Sequence, residues 1–147
     1  FKATSIINHA IGFDLLSAAS KEYDWNLNLT DIARIWTNGC IIRSKLMEDL
    51  SAIFKDHPGH LLLKPVIVHE ISEYKNSLMR IVGDALNGGF PVPVMSAAAN
   101  YLLSFTSEQS SANMIQAQRD YFGAHTYERK DKPRGEFFHT EWLRNKV

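Results

Sequence analysis

The chain has 147 residues with 16 basic and 16 acidic side chains, so its formal net charge is zero. No overall field therefore draws it to nucleic acid or to a membrane surface, and any anion site must be local. A hydrophobic share of 45% and a charged share of 22% are those of a soluble globular domain with one core, and no segment is long and apolar enough to span a membrane.

The single cysteine, Cys40, excludes an internal disulfide and favours a reducing compartment such as the cytoplasm. The chain begins with Phe1 directly inside an apolar helical pattern. From this start we expect a piece of a longer protein.

Apolar residues recur at helical spacing over the first 122 residues. This spacing predicts six helices: one over 3–23, one capped by Asn28 or Thr30 and carrying Trp36, one from about Ile41 that ends at residues 57–59, one from Pro65 to Asn87, one over about 95–105 and one over about 112–122. The first helix is apolar on most sides, which is typical of a helix in the middle of a bundle.

The pattern changes after Gly123. Residues 127–136 are polar and show no apolar period, whereas Phe137, Phe138 and Trp142 are large apolar side chains without a helix of their own. No convincing strand pair is predicted. We therefore expect an all-α multi-helix bundle over residues 1–122 and an extended tail over 123–147, which docks on its own bundle or on a partner.

Most candidate sites for chemistry have a simpler structural interpretation. His57 and His60 flank a Pro-Gly turn without cysteines, which is weak support for a metal site. Cys40, at a predicted helix start, is expected to be buried as a small hydrophobic residue, and Arg43 to pair with a carboxylate or a helix end. His9 is expected to be a hydrogen-bonded core histidine.

The sequence offers no reaction centre. The carboxylates at positions 48, 49, 70 and 73 fall on predicted polar helix faces, so none is a credible general base for alcohol oxidation. Gly88 and Gly89 follow a helix and lack the preceding strand of a dinucleotide-binding loop. The residues alone therefore predict no catalytic, cofactor or metal site.

One candidate anion site remains, formed by Arg119 and His125 six positions apart across Gly123. Arginine supplies forked donors and histidine a titratable one, a combination that suits a sugar phosphate. The alternative from the residues alone is that Arg119 is solvated on a helix face and His125 helps to cap that helix.

Several runs in the same order resemble one enzyme family. They are AASKE at 18–22, WNLN at 25–28, GCIIRS at 39–44, GFPVP at 89–93, QAQRDYFGAHTYE at 116–128 and FHTEW at 138–142. Together they are similar to the C-terminal part of decarboxylating 6-phosphogluconate dehydrogenases.

The resemblance implies a function that the residues alone do not. Members of that family oxidise 6-phosphogluconate with NADP and release carbon dioxide to give ribulose 5-phosphate. Their subunit has a Rossmann coenzyme domain, an all-helical domain and a tail that threads into the other subunit of a homodimer. The resemblance places Arg119, on the phosphate, and His125 in the neighbouring subunit's substrate site.

The same resemblance places the family's coenzyme loop and its catalytic lysine and glutamate ahead of Phe1. We therefore expect NADP to be bound mainly by a domain absent from this chain, and the chain alone to be inactive. Two alternatives stay open, a non-catalytic helical dimerisation module and a relative acting on another hydroxyacid phosphate. Coenzyme preference between NAD and NADP is not predicted.

Overall fold

The computed structural model describes residues 1–56 and 59–142. Its elements are α1 (Lys2–Glu22), α2 (Leu29–Trp36), α3 (Lys45–Asp56), a 3₁₀ turn (Leu61–Leu63), α4 (Pro65–Asn87), α5 (Pro93–Thr106), α6 (Ala112–Gly123), β1 (Tyr127–Glu128) and β2 (Phe137–Phe138). The prediction of an all-α fold is confirmed. The expectations for His57 and for residues 143–147 lie outside the described residues.

The chain forms two compact units, Phe1–Leu103 and Ser104–Val147. The second unit contains α6 together with the tail. The assignment of residues 123–147 as a segment that docks on a partner subunit stays a prediction.

The hydrophobic core lies in the first unit, where α1 packs against α4 and α2 packs against α3. Phe13 joins these elements, since its ring centroid lies 5.4 Å from that of Trp36 and 4.7 Å from that of Phe54. Only the N-terminal part of α1 is buried, and Leu15 is 68% exposed. Within that part the buried residues share one face and Asn8 is exposed, so the expectation that this helix is enclosed on most sides is wrong.

Side-chain caps fix the starts of α2 and α3. Asn28 accepts hydrogen bonds from the N–H groups of Thr30 and Asp31, as one of the two predicted caps. The predicted helix start near Ile41 is wrong, because Ser44 Oγ accepts from the N–H of Met47 and α3 begins at Lys45. Ile41 lies in the preceding turn and is 99% exposed.

In the second unit, α6 is followed by a short antiparallel strand pair, in which Tyr127 faces Phe138 and Glu128 faces Phe137. The prediction of no strand pair is wrong at this place. The polar residues 127–136 are ordered by local contacts that apolar periodicity does not detect. Glu128 accepts from Arg134 at 2.9 Å and from the N–H of Gly135 at 2.7 Å.

Candidate functional site

Helix α6 presents Arg119 to solvent with its charge unneutralised. The guanidinium donates one long hydrogen bond, 3.4 Å, to Gln116 Oε1 and has no carboxylate within 4.0 Å among residues 1–56 and 59–142. The other two arginines that the structure describes in this unit are paired, Arg129 with Asp131 and Arg134 with Glu128. Arg119 is therefore available to an external anion.

His125 lies in an unusual turn directly after α6. Ala124 has φ 48° and ψ 39°, and Thr126 has φ 56°, so two residues with side chains flank His125 in the left-handed region. This conformation is costly for any residue with a Cβ atom. The turn therefore needs specific support from its surroundings.

Gly123 lies at the end of α6, close to the helix end that the sequence predicts. It is the last helical residue, and Ala124, not the glycine, takes the left-handed conformation after it. The absence of a side chain at Gly123 instead makes room for His125, because a Cβ built there would lie 2.7 Å from Cδ2 and Nε2 of the imidazole. The ring also meets Phe122 edge-on, with the centroids 5.9 Å apart.

The exposed imidazole of His125 forms no hydrogen bond within the described part of the chain. It therefore does not cap α6, whose last turn is closed by the N–H of Ala124 donating to the carbonyl of Asp120. Both predicted site residues thus lie at the C-terminal end of α6 with exposed side chains, Arg119 on the helix and His125 in the turn.

Two side chains of α6 hold the turn through a single residue. Asp120 Oδ1 accepts from the N–H of Thr126 at 3.1 Å, and Gln116 Nε2 donates to the carbonyl oxygen of Thr126. Gln116 and Asp120 are four positions apart, so they share one face of the helix. Both polar atoms of the Thr126 backbone are therefore bound to α6.

The carboxylate of Asp120 is completely buried and also binds residues 139–142, which follow β2. Its Oδ1 is 2.8 Å from His139 Nδ1, and its Oδ2 accepts from the N–H of Thr140 and from Trp142 Nε1, each at 2.9 Å. Burial alone would raise the pKa of Asp120. The hydrogen bonds from His139, Thr140 and Trp142, with the nearby His139 charge, outweigh it and lower the pKa to about 2.

Asp120 and Gln116 were not singled out from the sequence. A signal was present, because an acidic residue in the last turn of a helix is unfavourable to the helix dipole unless other groups stabilise its charge. Three donors from residues 139–142 supply that stabilisation, and their distance along the chain hides it from a local pattern.

The other sequence candidates do not assemble a site. Cys40 is half-buried in the turn before α3, not buried at a helix start, and Arg43 is exposed and forms no ion pair among the described residues. His9 is half-buried, with its Nδ1 2.7 Å from the carbonyl oxygen of Ser5, which agrees with the structural interpretation. Among the residues described, no cluster of three potential metal ligands occurs.

Comparison with known proteins decides the family. Residues 1–142 match the model of the 6-phosphogluconate dehydrogenase C-terminal domain. This chain is a member of that family. The resemblance seen in the sequence runs is confirmed, and the family matches the all-helical fold found here.

Relatives of the family extend well beyond this chain. Over 95% of its length, the chain is 41% identical to 6-phosphogluconate dehydrogenase, decarboxylating, of Aggregatibacter actinomycetemcomitans and 42% identical to that of Staphylococcus aureus strain N315. It spans 29% and 30% of those two proteins.

Within the described residues, no helix has the length and apolar character needed to cross a membrane.

A solved structure of Plasmodium falciparum 6-phosphogluconate dehydrogenase, described as apo, with its cofactor NADP⁺ and with its substrate 6-phosphogluconate, has a TM-score of 0.88 to this chain. The two are 38% identical, and the match covers 96% of this chain and 30% of the Plasmodium chain. The fold described above is therefore that of the family.

Proposed function

We propose that this chain is the C-terminal part of a decarboxylating 6-phosphogluconate dehydrogenase, which converts 6-phosphogluconate to ribulose 5-phosphate and carbon dioxide with NADP as the oxidant. Support comes from the family match over residues 1–142 and from relatives of that name at about 40% identity. The chain's own contribution is to bind the substrate phosphate through Arg119 and His125.

The observation that carries this assignment is the unneutralised guanidinium of Arg119. A phosphate takes two parallel N–H···O bonds from a guanidinium, which adds orientation to charge attraction. His125 supplies a further hydrogen-bond donor. Neither side chain has another strong partner among the described residues.

The rest of the active site belongs elsewhere in the proposed enzyme. We infer a cytoplasmic homodimer in which the tail reaches the substrate site of the neighbouring subunit, while NADP and the catalytic groups are held by the longer part of each subunit. The isolated chain is accordingly expected to bind phosphate weakly and to show no turnover.

The test is Arg119→Ala in the complete enzyme, with steady-state kinetics on 6-phosphogluconate. Loss of a charge-assisted contact to phosphate should raise KM about 10- to 100-fold. Arg134→Ala is the matched control, because it removes an exposed arginine of the same unit that is already paired with Glu128. An unchanged KM for Arg119→Ala would show that this guanidinium does not bind the substrate.

Activity of the complete protein separates the proposal from its rivals. A protein that dimerises in light scattering but neither reduces NADP nor binds 6-phosphogluconate would be a dimerisation module. A protein that oxidises only a different phosphorylated hydroxyacid would keep the site and change the substrate.

A further inference from the structure

We propose that Asp120 and Gln116 are positioning residues for the phosphate site, acting by fixing the turn that carries His125 in the orientation shared with Arg119. This inference rests on the proposed function, since it names the residues that set the geometry of the same site. Neither side chain is proposed to touch the substrate.

The first argument is that the two side chains bind both backbone polar groups of one residue, Thr126. The N–H of Thr126 donates to Asp120 at 3.1 Å, and its carbonyl oxygen accepts from Gln116. A backbone residue held at both polar atoms cannot rotate about φ and ψ without breaking a hydrogen bond. The residue directly before it is His125.

The second argument is that the turn requires this support. Ala124 and Thr126 both have a positive φ, which residues with a Cβ atom rarely adopt. Strain of this kind persists where the surroundings over-determine the backbone. Asp120 and Gln116 provide two hydrogen bonds from the preceding helix, so the strained conformation is the stable one.

The third argument concerns Arg119. Gln116 donates to Thr126 through its Nε2 and accepts from Arg119 through its Oε1, at 3.4 Å. One amide therefore connects the arginine with the turn that carries the histidine. Gln116 therefore contacts both Arg119 and the turn, and its position affects how the two side chains are set relative to each other.

The fourth argument is that Asp120 itself is firmly placed. His139, the N–H of Thr140 and Trp142 donate to its two oxygens from the segment that follows β2. An isosteric asparagine would keep one acceptor oxygen and place an NH₂ group against donors. The NH₂ group is favoured at the Oδ1 position, because the His139 ring can accept from it in its other tautomer, whereas the N–H groups of Thr140 and Trp142 only donate. The N–H of Thr126 then loses its acceptor, which should favour the released turn about tenfold.

The experiment is a double-mutant cycle in the complete enzyme with 6-phosphogluconate, using Asp120→Asn, His125→Ala and the double variant. Asp120→Asn should raise KM about tenfold or more and lower kcat much less, because the substrate loses a placed donor. In the His125→Ala background the same substitution should raise KM less than about threefold, because the donor being positioned is already gone.

Asp131→Asn is the matched control, since it makes the same change to an exposed carboxylate of the same unit that pairs with Arg129. It should leave KM within about twofold of the wild type. Thermal unfolding of every variant identifies those that fail to fold. If Asp120→Asn is such a variant, Gln116→Met replaces it in the cycle, because Gln116 is only half-buried.

Equal fold-increases in KM with and without His125 would overturn the positioning role, as would an unchanged KM in the folded Asp120→Asn or Gln116→Met enzyme. Failure of the proposed function has a different signature. In that case Arg119→Ala and His125→Ala would both leave KM unchanged, whatever the result at Asp120.

Discussion

Replacement of Gly123 by alanine should weaken substrate binding without destabilising the fold. The new Cβ would lie 2.7 Å from two atoms of the His125 ring, whereas carbon atoms in contact are about 3.5–4.0 Å apart. The imidazole must therefore move by about 1 Å, and a misplacement of that size can cost about 100-fold in an enzyme site. We expect KM for 6-phosphogluconate to rise about 10- to 100-fold.

The stability of the same variant should not fall. Alanine favours helix over glycine by up to about 1 kcal/mol, and the exposed ring of His125 can rotate away without disturbing a core. The variant should thus unfold at the wild-type temperature or slightly above it.

Gly83→Ala is the matched control for this pair of measurements. It makes the same substitution within α4, where a Cβ would meet nothing within 4 Å. Its KM should equal that of the wild type. If Gly123→Ala also has the wild-type KM for 6-phosphogluconate, substrate binding does not depend on the position of the His125 ring next to Gly123.

Two further predictions concern stability. Because the pKa of Asp120 is lowered from 3.8 to about 2, its contribution is complete above about pH 4 and is lost as the pH falls towards 2, so the tail contacts should open in that window. The fluorescence of Trp142, taken as the difference between the wild type and Trp142→Phe, measures this opening. Opening already at about pH 6 would contradict the prediction. Phe13→Ala should reduce the free energy of unfolding by about 3–5 kcal/mol in urea denaturation, because it removes the ring contacts with Trp36 and Phe54 and leaves a cavity. A loss below about 1 kcal/mol would show that these contacts are not central to the core.

Helix positions in the first unit could be predicted because each depends on neighbours within a few residues. The cap at Asn28 and the break at Gly89 are local signals, and both appear where expected. The start of α3 was misplaced because the apolar pattern begins at Ile41, whereas the first helical hydrogen bonds depend on the hydroxyl of Ser44. Two exposed isoleucines in a turn cannot be distinguished by spacing from two buried ones in a helix.

The candidate site was predictable only in part. Arg119 and His125 could be named from their chemistry and from the family resemblance, and their roles stay predictions. Asp120 could not be recognised as a central residue, because three of its four donors are 19 to 22 positions away and two of the four are backbone N–H groups. Backbone groups leave no trace in the residue types of a sequence.

At the end of α6 the backbone of the turn is held in place, whereas the two side chains proposed to bind phosphate stay exposed. Gln116 and Asp120 bind the turn back to the helix, while the side chains of Arg119 and His125 keep their donors exposed. A preformed site loses little conformational entropy on binding, which raises affinity without additional contacts. This matters most where the ligand belongs to a neighbouring subunit, as proposed, because the tail then cannot rely on its own subunit's pocket to orient these groups. Substitutions behind the turn should therefore change affinity without touching the ligand, whereas substitutions such as Phe13→Ala in the first unit should change stability.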